Sequence, residues 1–166
     1  MSALTLITGA DAMSEAGDGC WQLPRQEAPK PILLVAAVAL VDSDGRVLIA
    51  KRPEGKSMAG LWEFPGGKVK DDETPEMALV RELAEEIDID TKTSCFAPFT
   101  FSSYLYDDFH LLMPLYLCRI WQGIPQAQEG QTLKWAYPNR LAIFTCHPRT
   151  SHSWRCCEIF FSLVGT

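Results

Sequence analysis

GGKVKDDETPEMALVRELAEEIDI, residues 66–89, joins a glycine turn to a helix. Two adjacent glycines, Gly66 and Gly67, permit a tight backbone path beside a ligand. Thr74 is a natural N-cap and Pro75 suits a first helical turn, so TPEMALVRELAEEI predicts a helix. Leu79, Leu83 and Ile87 recur every four residues and form a stripe that faces the core. Glu82, Glu85 and Glu86 stand at i, i+3 and i+4, so their carboxylates project from the opposite face of the same helix. Three like charges held so close repel one another, and a solvated acidic face is the plain reading of such a run. Their surroundings argue for more. Glu73 and Arg81 flank the first half of the helix, and Lys51, Arg52, Lys56, Lys68 and Lys70 put five of the chain's 15 Lys and Arg into residues 51–70. Hard divalent cations take clustered oxygen ligands, and Mg2+ bound by a few carboxylates completes its shell with water and substrate phosphate. A phosphate-processing metal site fits this combination.

Upstream, ILLVAAVALV from Ile32 is a continuous apolar run. DSDG at Asp42–Gly45 is a turn signal and RVLIAKR follows as a second strand, which together predict a hairpin. Residues 53–60 form a loop before LWEF. Downstream, CFAPFTFSSY and FHLLMPLYLCRIW are predicted strands joined across Asp107 and Asp108. Residues 122–131 make a polar loop, LKWAY a short strand, and Pro138-Asn139 the start of a further helix. Strands interrupted by one strong helix imply a mixed α/β sandwich. Residues 1–30 show no period of 2 or 3.6 and end in Pro-Lys-Pro, so a flexible N-terminal segment is expected there.

The 166 residues suit one globular domain, with 47% hydrophobic and 22% charged residues. A net charge of −6 argues against nonspecific binding to a nucleic-acid backbone, where positive charge supplies most of the affinity. No apolar run reaches the roughly 20 residues that span a bilayer, and the N-terminus lacks a basic leader, so a cytoplasmic protein is expected. The six cysteines, Cys20, Cys95, Cys118, Cys146, Cys156 and Cys157, are scattered and read as reduced thiols.

Gly67, Glu73, then Arg81-Glu82-Leu83-Ala84-Glu85-Glu86-Ile87 and Ile89 stand at the spacing of the Nudix box, and the chain resembles the Nudix hydrolase family on these residues. One position departs: Asp88 replaces the glycine that follows the helix, and Asp tolerates the left-handed conformation better than most residues. KRPEGKSMAGLWEFPGGKV and the later EGQTLKW of Glu129–Trp135 are similar to the MutT branch, extending the resemblance over about residues 32–141. The resemblance implies an α/β/α sandwich with a mixed β-sheet and a catalytic loop-helix-loop. It implies hydrolysis of a nucleoside triphosphate, notably 8-oxo-dGTP, to monophosphate and pyrophosphate with Mg2+, or with Mn2+ in its place. By the same resemblance Glu82, Glu85 and Glu86 are catalytic metal ligands, joined by the Gly66 carbonyl; the general base is Glu85 or Glu86 or, as in some members of the family, a carboxylate outside the box, where the comparable late strand LCRIW offers Cys118 and Arg119 rather than an acid. Glu73 and Arg81 brace the loop-helix-loop, while Arg52, Phe64 and Lys68 contact the nucleotide. The partner implied is a nucleotide, with no stable nucleic-acid complex and no membrane.

The resemblance sets a hydrolase domain at 31–145 and fades after Leu141. AIFTCHPRTSHSWRCCEIFFSLVGT replaces the short helix and proline-containing loop of the family, so residues 146–166 are an atypical tail whose composition suits a shifted reading frame. Its Cys146, His147, His152, Cys156 and Cys157 lack the spacing of common zinc fingers. Two other functions stay open at this level. One is hydrolysis of dinucleoside polyphosphates or other nucleotide diphosphates, because the box specifies the linkage rather than the attached groups. The other is a noncatalytic module reading oxidised guanine, against which the intact glutamates and the acidic charge stand.

Overall fold

In the computed structural model, residues 29–56 and 58–145 are described. The expectations for residues 1–28, and those for the tail beyond Thr145, lie outside them. The apolar run becomes β1 (Ile32–Leu40), whose successive side chains enter two different cores: Ala37 and Ala39 one, Ala36, Val38 and Leu40 the other. A strand buried on both faces has no use for polar alternation, which is why its sequence is uniformly apolar. Antiparallel β4 (Gly66–Lys68) and parallel β6 (His110–Cys118) flank β1, and β5 (Ala97–Leu105) pairs antiparallel with β6. The sheet is therefore mixed, in the order β4-β1-β6-β5.

The expected hairpin after β1 forms only at its turn. Asp42 holds the turn, accepting the Asp44 and Arg46 amides through Oδ1 and the Arg46 guanidinium through Oδ2. Val41 bridges Val47, but β2 (Val47–Lys51) then leaves β1 and joins a second sheet between β3 (Trp62–Glu63) and β7 (Thr132–Ala136). The reason is hydrogen-bond occupancy: β4 and β6 already satisfy both edges of β1, so β2 must find its partners elsewhere.

The expected helix is α1 (Pro75–Ile87). Thr74 Oγ1 accepts the Met77 amide, and Asp88 ends the helix in the left-handed conformation at φ 58°. Leu79, Leu83 and Ile87 are fully buried against β1 and β6. Burying each of these side chains contributes roughly 2 kcal/mol, and that apolar anchorage fixes the helix's rotation and hence the direction of its opposite face. Pro138–Ile143 is a 3-10 segment rather than an α-helix. Beyond it Phe144 packs edge-on against Trp62 at 5.2 Å, and the Trp62 amide donates to the Thr145 carbonyl, so residues 144–145 are docked on the second sheet. Among the described residues no helix is long and apolar enough to cross a membrane.

Candidate active site

Gly66 and Gly67 carry β4 past β1 and under α1. Gly66 has φ 142°, and a Cβ on it would stand 2.2 Å from the Ala36 carbonyl oxygen. On Gly67 a Cβ would stand 2.2 Å from the Glu82 carboxylate, so the absence of a side chain makes room for an acid. The Gly66 amide donates to Glu86 Oε2 at 3.4 Å. Two of the three helix carboxylates thus rest on the two glycines, one each.

Arg81 organises the acids around it. It donates to both oxygens of Glu73, at 2.6 and 3.2 Å, to Glu82 at 2.7 Å, to Glu85 at 3.4 Å and to the Lys68 carbonyl at 3.2 Å. Glu73 also accepts the Lys70 amide. The Arg81 bonds, then that amide, draw the Glu73 carboxyl down to about 2. Only a planar guanidinium can meet this many fixed acceptors at once. The turn and the helix are therefore tied together through one side chain.

Glu86 is in a different state. Burial, reinforced by the negative charge of Glu82, pushes its carboxyl up to about 7 despite the Gly66 amide, with smaller contributions from Glu129 and Glu63. It opens onto a cleft of about 480 Å³, counting its mouth, together with Arg52, Lys56, Glu63, Phe64 and Gly66. Arg52 is held by Glu63 at 2.8 Å. Phe64 is 4% exposed and packed in the core, and it also forms one wall of the cleft.

The remaining expected residues lie apart. Glu82 and Glu85 are turned toward Arg81, with the Glu85 side chain 59% exposed, and neither lines the cleft. Lys68 is exposed and outside the cleft as well. Among the described residues no group of three His, Cys, Asp or Glu side chains is gathered closely enough to hold a metal ion. Glu82 and Glu85 bond the Arg81 guanidinium, while Glu86 Oε2 accepts the Gly66 amide instead.

The sequence reading missed Glu129 and Gln131. Both line the cleft, and Glu129 forms an ion pair with Lys56 across its mouth. The signal was present in EGQTLKW, but a carboxylate 43 residues from Glu86 reveals its neighbours only once the chain is folded.

Residues 36–148 match the NUDIX domain. An 8-oxo-dGTP diphosphatase of Proteus vulgaris is 44% identical over 101 residues, covering 61% of this chain and 88% of its own length. A CTP pyrophosphohydrolase of Escherichia coli K12 is 33% identical over 118 residues, covering 70% of this chain and 84% of its own. A solved MutT chain, from work on Aliivibrio salmonicida and Vibrio cholerae, superposes with a TM-score of 0.67 at 32% identity over 78% of this chain and 99% of its own.

Proposed function

Because this chain belongs to the Nudix family, as a MutT-like pyrophosphohydrolase with the α/β sandwich of that family, we propose that it hydrolyses a nucleoside triphosphate, foremost 8-oxo-dGTP, to monophosphate and pyrophosphate. The observation that carries this reading is the cleft itself. It combines a half-buried carboxylate at Glu86, a guanidinium at Arg52 and an aromatic wall at Phe64, the three chemistries that a metal-bound triphosphate and its base require.

The residues proposed for a divalent ion, Mg2+ or Mn2+, are Glu82, Glu85, Glu86 and the Gly66 carbonyl. Their donor set fits such an ion: all are hard oxygens, and Glu86 is a half-buried carboxylate whose charge, beside that of Glu82, a cation would offset. When bound, the ion neutralises the polyphosphate and lowers the pKa of coordinated water. Arg52 orients the phosphates and Phe64 packs against the base. Lys68, exposed on β4, adds positive charge that attracts the anionic substrate. Glu73 holds Arg81, and Arg81 holds the helix against the turn. In the reaction the water oxygen forms a bond to phosphorus, the bridging P–O bond breaks, and pyrophosphate leaves. The water proton passes to a carboxylate, Glu85 or Glu86, with Glu129 the acid outside the helix nearest to that role. The hydrolase domain is proposed to occupy residues 31–145, acting on the cytoplasmic nucleotide pool.

The similarity to a CTP pyrophosphohydrolase favours a second reading, a pyrimidine triphosphate as substrate. Pyrophosphate release from 8-oxo-dGTP, dGTP, CTP and a dinucleoside polyphosphate, with Mg2+ and with chelator, tests both. Chelator-sensitive preference for 8-oxo-dGTP is expected, preference for CTP establishes the second reading, and no cleavage of any of the four by folded protein overturns both.

A further inference from the structure

We propose that Gln131 is a positioning residue that sets the distance between Glu86 on α1 and Glu129 on the loop facing it, and so controls the chemical step. The inference rests on the hydrolase reading above. Residues 122–131 contain no regular helix or strand, yet they follow the C-terminal end of α1 closely. Asp90 and Gln122 exchange two backbone hydrogen bonds at 2.9 and 3.0 Å, and the Gln126 amide donates to the Ile87 carbonyl at 2.8 Å. The last turn of α1 contains no basic residue to satisfy its free carbonyls, so the loop supplies their donors.

Glu86 receives the most. Its carbonyl accepts the Gln128 amide at 2.9 Å and Gln131 Nε2 at 2.6 Å. The same Gln131 carboxamide turns its oxygen the other way, and Oε1 accepts the Glu129 amide at 2.8 Å. One side chain therefore grips the backbone of both carboxylate-bearing residues, Glu86 through an acceptor and Glu129 through a donor. All three line the same cleft.

This double grip needs a donor and an acceptor at one tip. Leucine has neither, and glutamate keeps the acceptor while losing the donor. The Lys56 ion pair does not replace it, because both side chains of that pair are nearly half exposed and exposed pairs hold geometry weakly. Catalytic groups displaced by about 1 Å can lose up to roughly 10²-fold in rate.

The test uses Q131L, Q131E, E129Q and the E129Q/Q131L double variant, with pyrophosphate release from 8-oxo-dGTP in Mg2+ and exchange of the Glu129 amide by NMR. In Q131L kcat is expected to fall at least tenfold with KM within threefold of wild type. E129Q and E129Q/Q131L are expected to differ by less than twofold, because Gln131 acts through Glu129. The Glu129 amide is expected to exchange at least tenfold faster in Q131L and to stay protected in Q131E, which keeps the acceptor but loses turnover. A folded Q131L with kcat within twofold of wild type, losses that multiply in the double variant, or equal amide exchange in Q131L and wild type would each overturn the proposal. Should Q131L lose its cooperative melt, Q131E and E129Q/Q131E replace it with the same limits on kcat, KM and the double-variant comparison, the Glu129 amide staying protected; a folded Q131E with kcat within twofold of wild type would then overturn the proposal. Wild-type protein that cleaves no nucleotide would refute the hydrolase reading instead, and the amide exchange would then decide the position of Glu129 by itself.

Discussion

Adding one methyl group at each of two neighbouring glycines is expected to break different things. At Gly67 the new Cβ would meet Glu82 Cδ and Oε1 at 2.2 Å and Oε2 at 2.7 Å, whereas ordinary contact begins near 3.4 Å. The carboxylate must therefore retreat by about 1.2 Å. It is the far end of a flexible side chain, so this displacement mainly disturbs its bond with Arg81, at a cost of about 1 kcal/mol. The Gly→Ala change recovers about 0.4–1 kcal/mol by restricting the unfolded chain. Net stability should stay within about 1 kcal/mol of wild type, or about 4 °C in Tm. A proposed ligand moved by that distance should lower kcat by up to about 10²-fold and raise the Mg2+ concentration needed for half-maximal rate. At Gly66 the obstacles are backbone, the Ala36 carbonyl oxygen at 2.2 Å and Ala37 Cα at 2.9 Å, and φ is 142°. Relief there means pulling β4 from β1, and the cost is about 3–5 kcal/mol, a large share of the roughly 5–15 kcal/mol that holds a domain folded. Thermal melting by circular dichroism, followed by pyrophosphate release across a Mg2+ titration, separates the two effects. A Gly67→Ala protein that melts as early as Gly66→Ala, or one that keeps wild-type kcat and Mg2+ dependence, would refute the reasoning.

Glu85→Gln should leave Tm within a few degrees, since the side chain is 59% exposed, and should lower turnover by about 10²-fold or more; wild-type activity removes Glu85 from the site. Arg81→Lys, assayed in the same way, should lose at least about tenfold in kcat, because an ammonium cannot span Glu73, Glu82 and the Lys68 carbonyl together; full activity would show that the brace is dispensable. Tyr116 is raised from 10 to about 12 by burial and by its bond to Glu76. Its contribution to stability is whole below pH 10 and is lost as pH rises through 12, so Tyr116→Phe should flatten the alkaline fall in Tm, and an unchanged alkaline profile would contradict the assignment. Glu73 is lowered from 4.5 to about 2. Its contribution is whole above pH 4.5 and is lost as pH falls through 2; Glu73→Gln should blunt the acid transition over that window, and an identical acid melt would count against the Arg81 pairing.

The helix, its start and its orientation are legible in the chain because they depend on short-range physics. Thr74 caps, Pro75 presets the first turn, and a stripe at spacing four assigns Leu79, Leu83 and Ile87 to the core and the glutamates to the opposite face. The Nudix spacing is local for the same reason, since the turn, the brace and the acids lie within residues 66–89. What tertiary structure alone decided are relations between distant segments. A turn signal cannot tell whether two strands stay paired, and here β4 takes the edge of β1 on which the turn at Asp42 begins, the Val38 amide donating to the Pro65 carbonyl, while β6 takes the other edge. Nor does a carboxylate's spacing reveal its charge environment: Glu82 and Glu85 turn to Arg81, while Glu86, one residue beyond Glu85, lines the cleft beside Gly66. Glu129 and Gln131 reach that cleft because the carbonyls at the end of α1 need donors and the loop provides them, a requirement that exists only after the helix has formed.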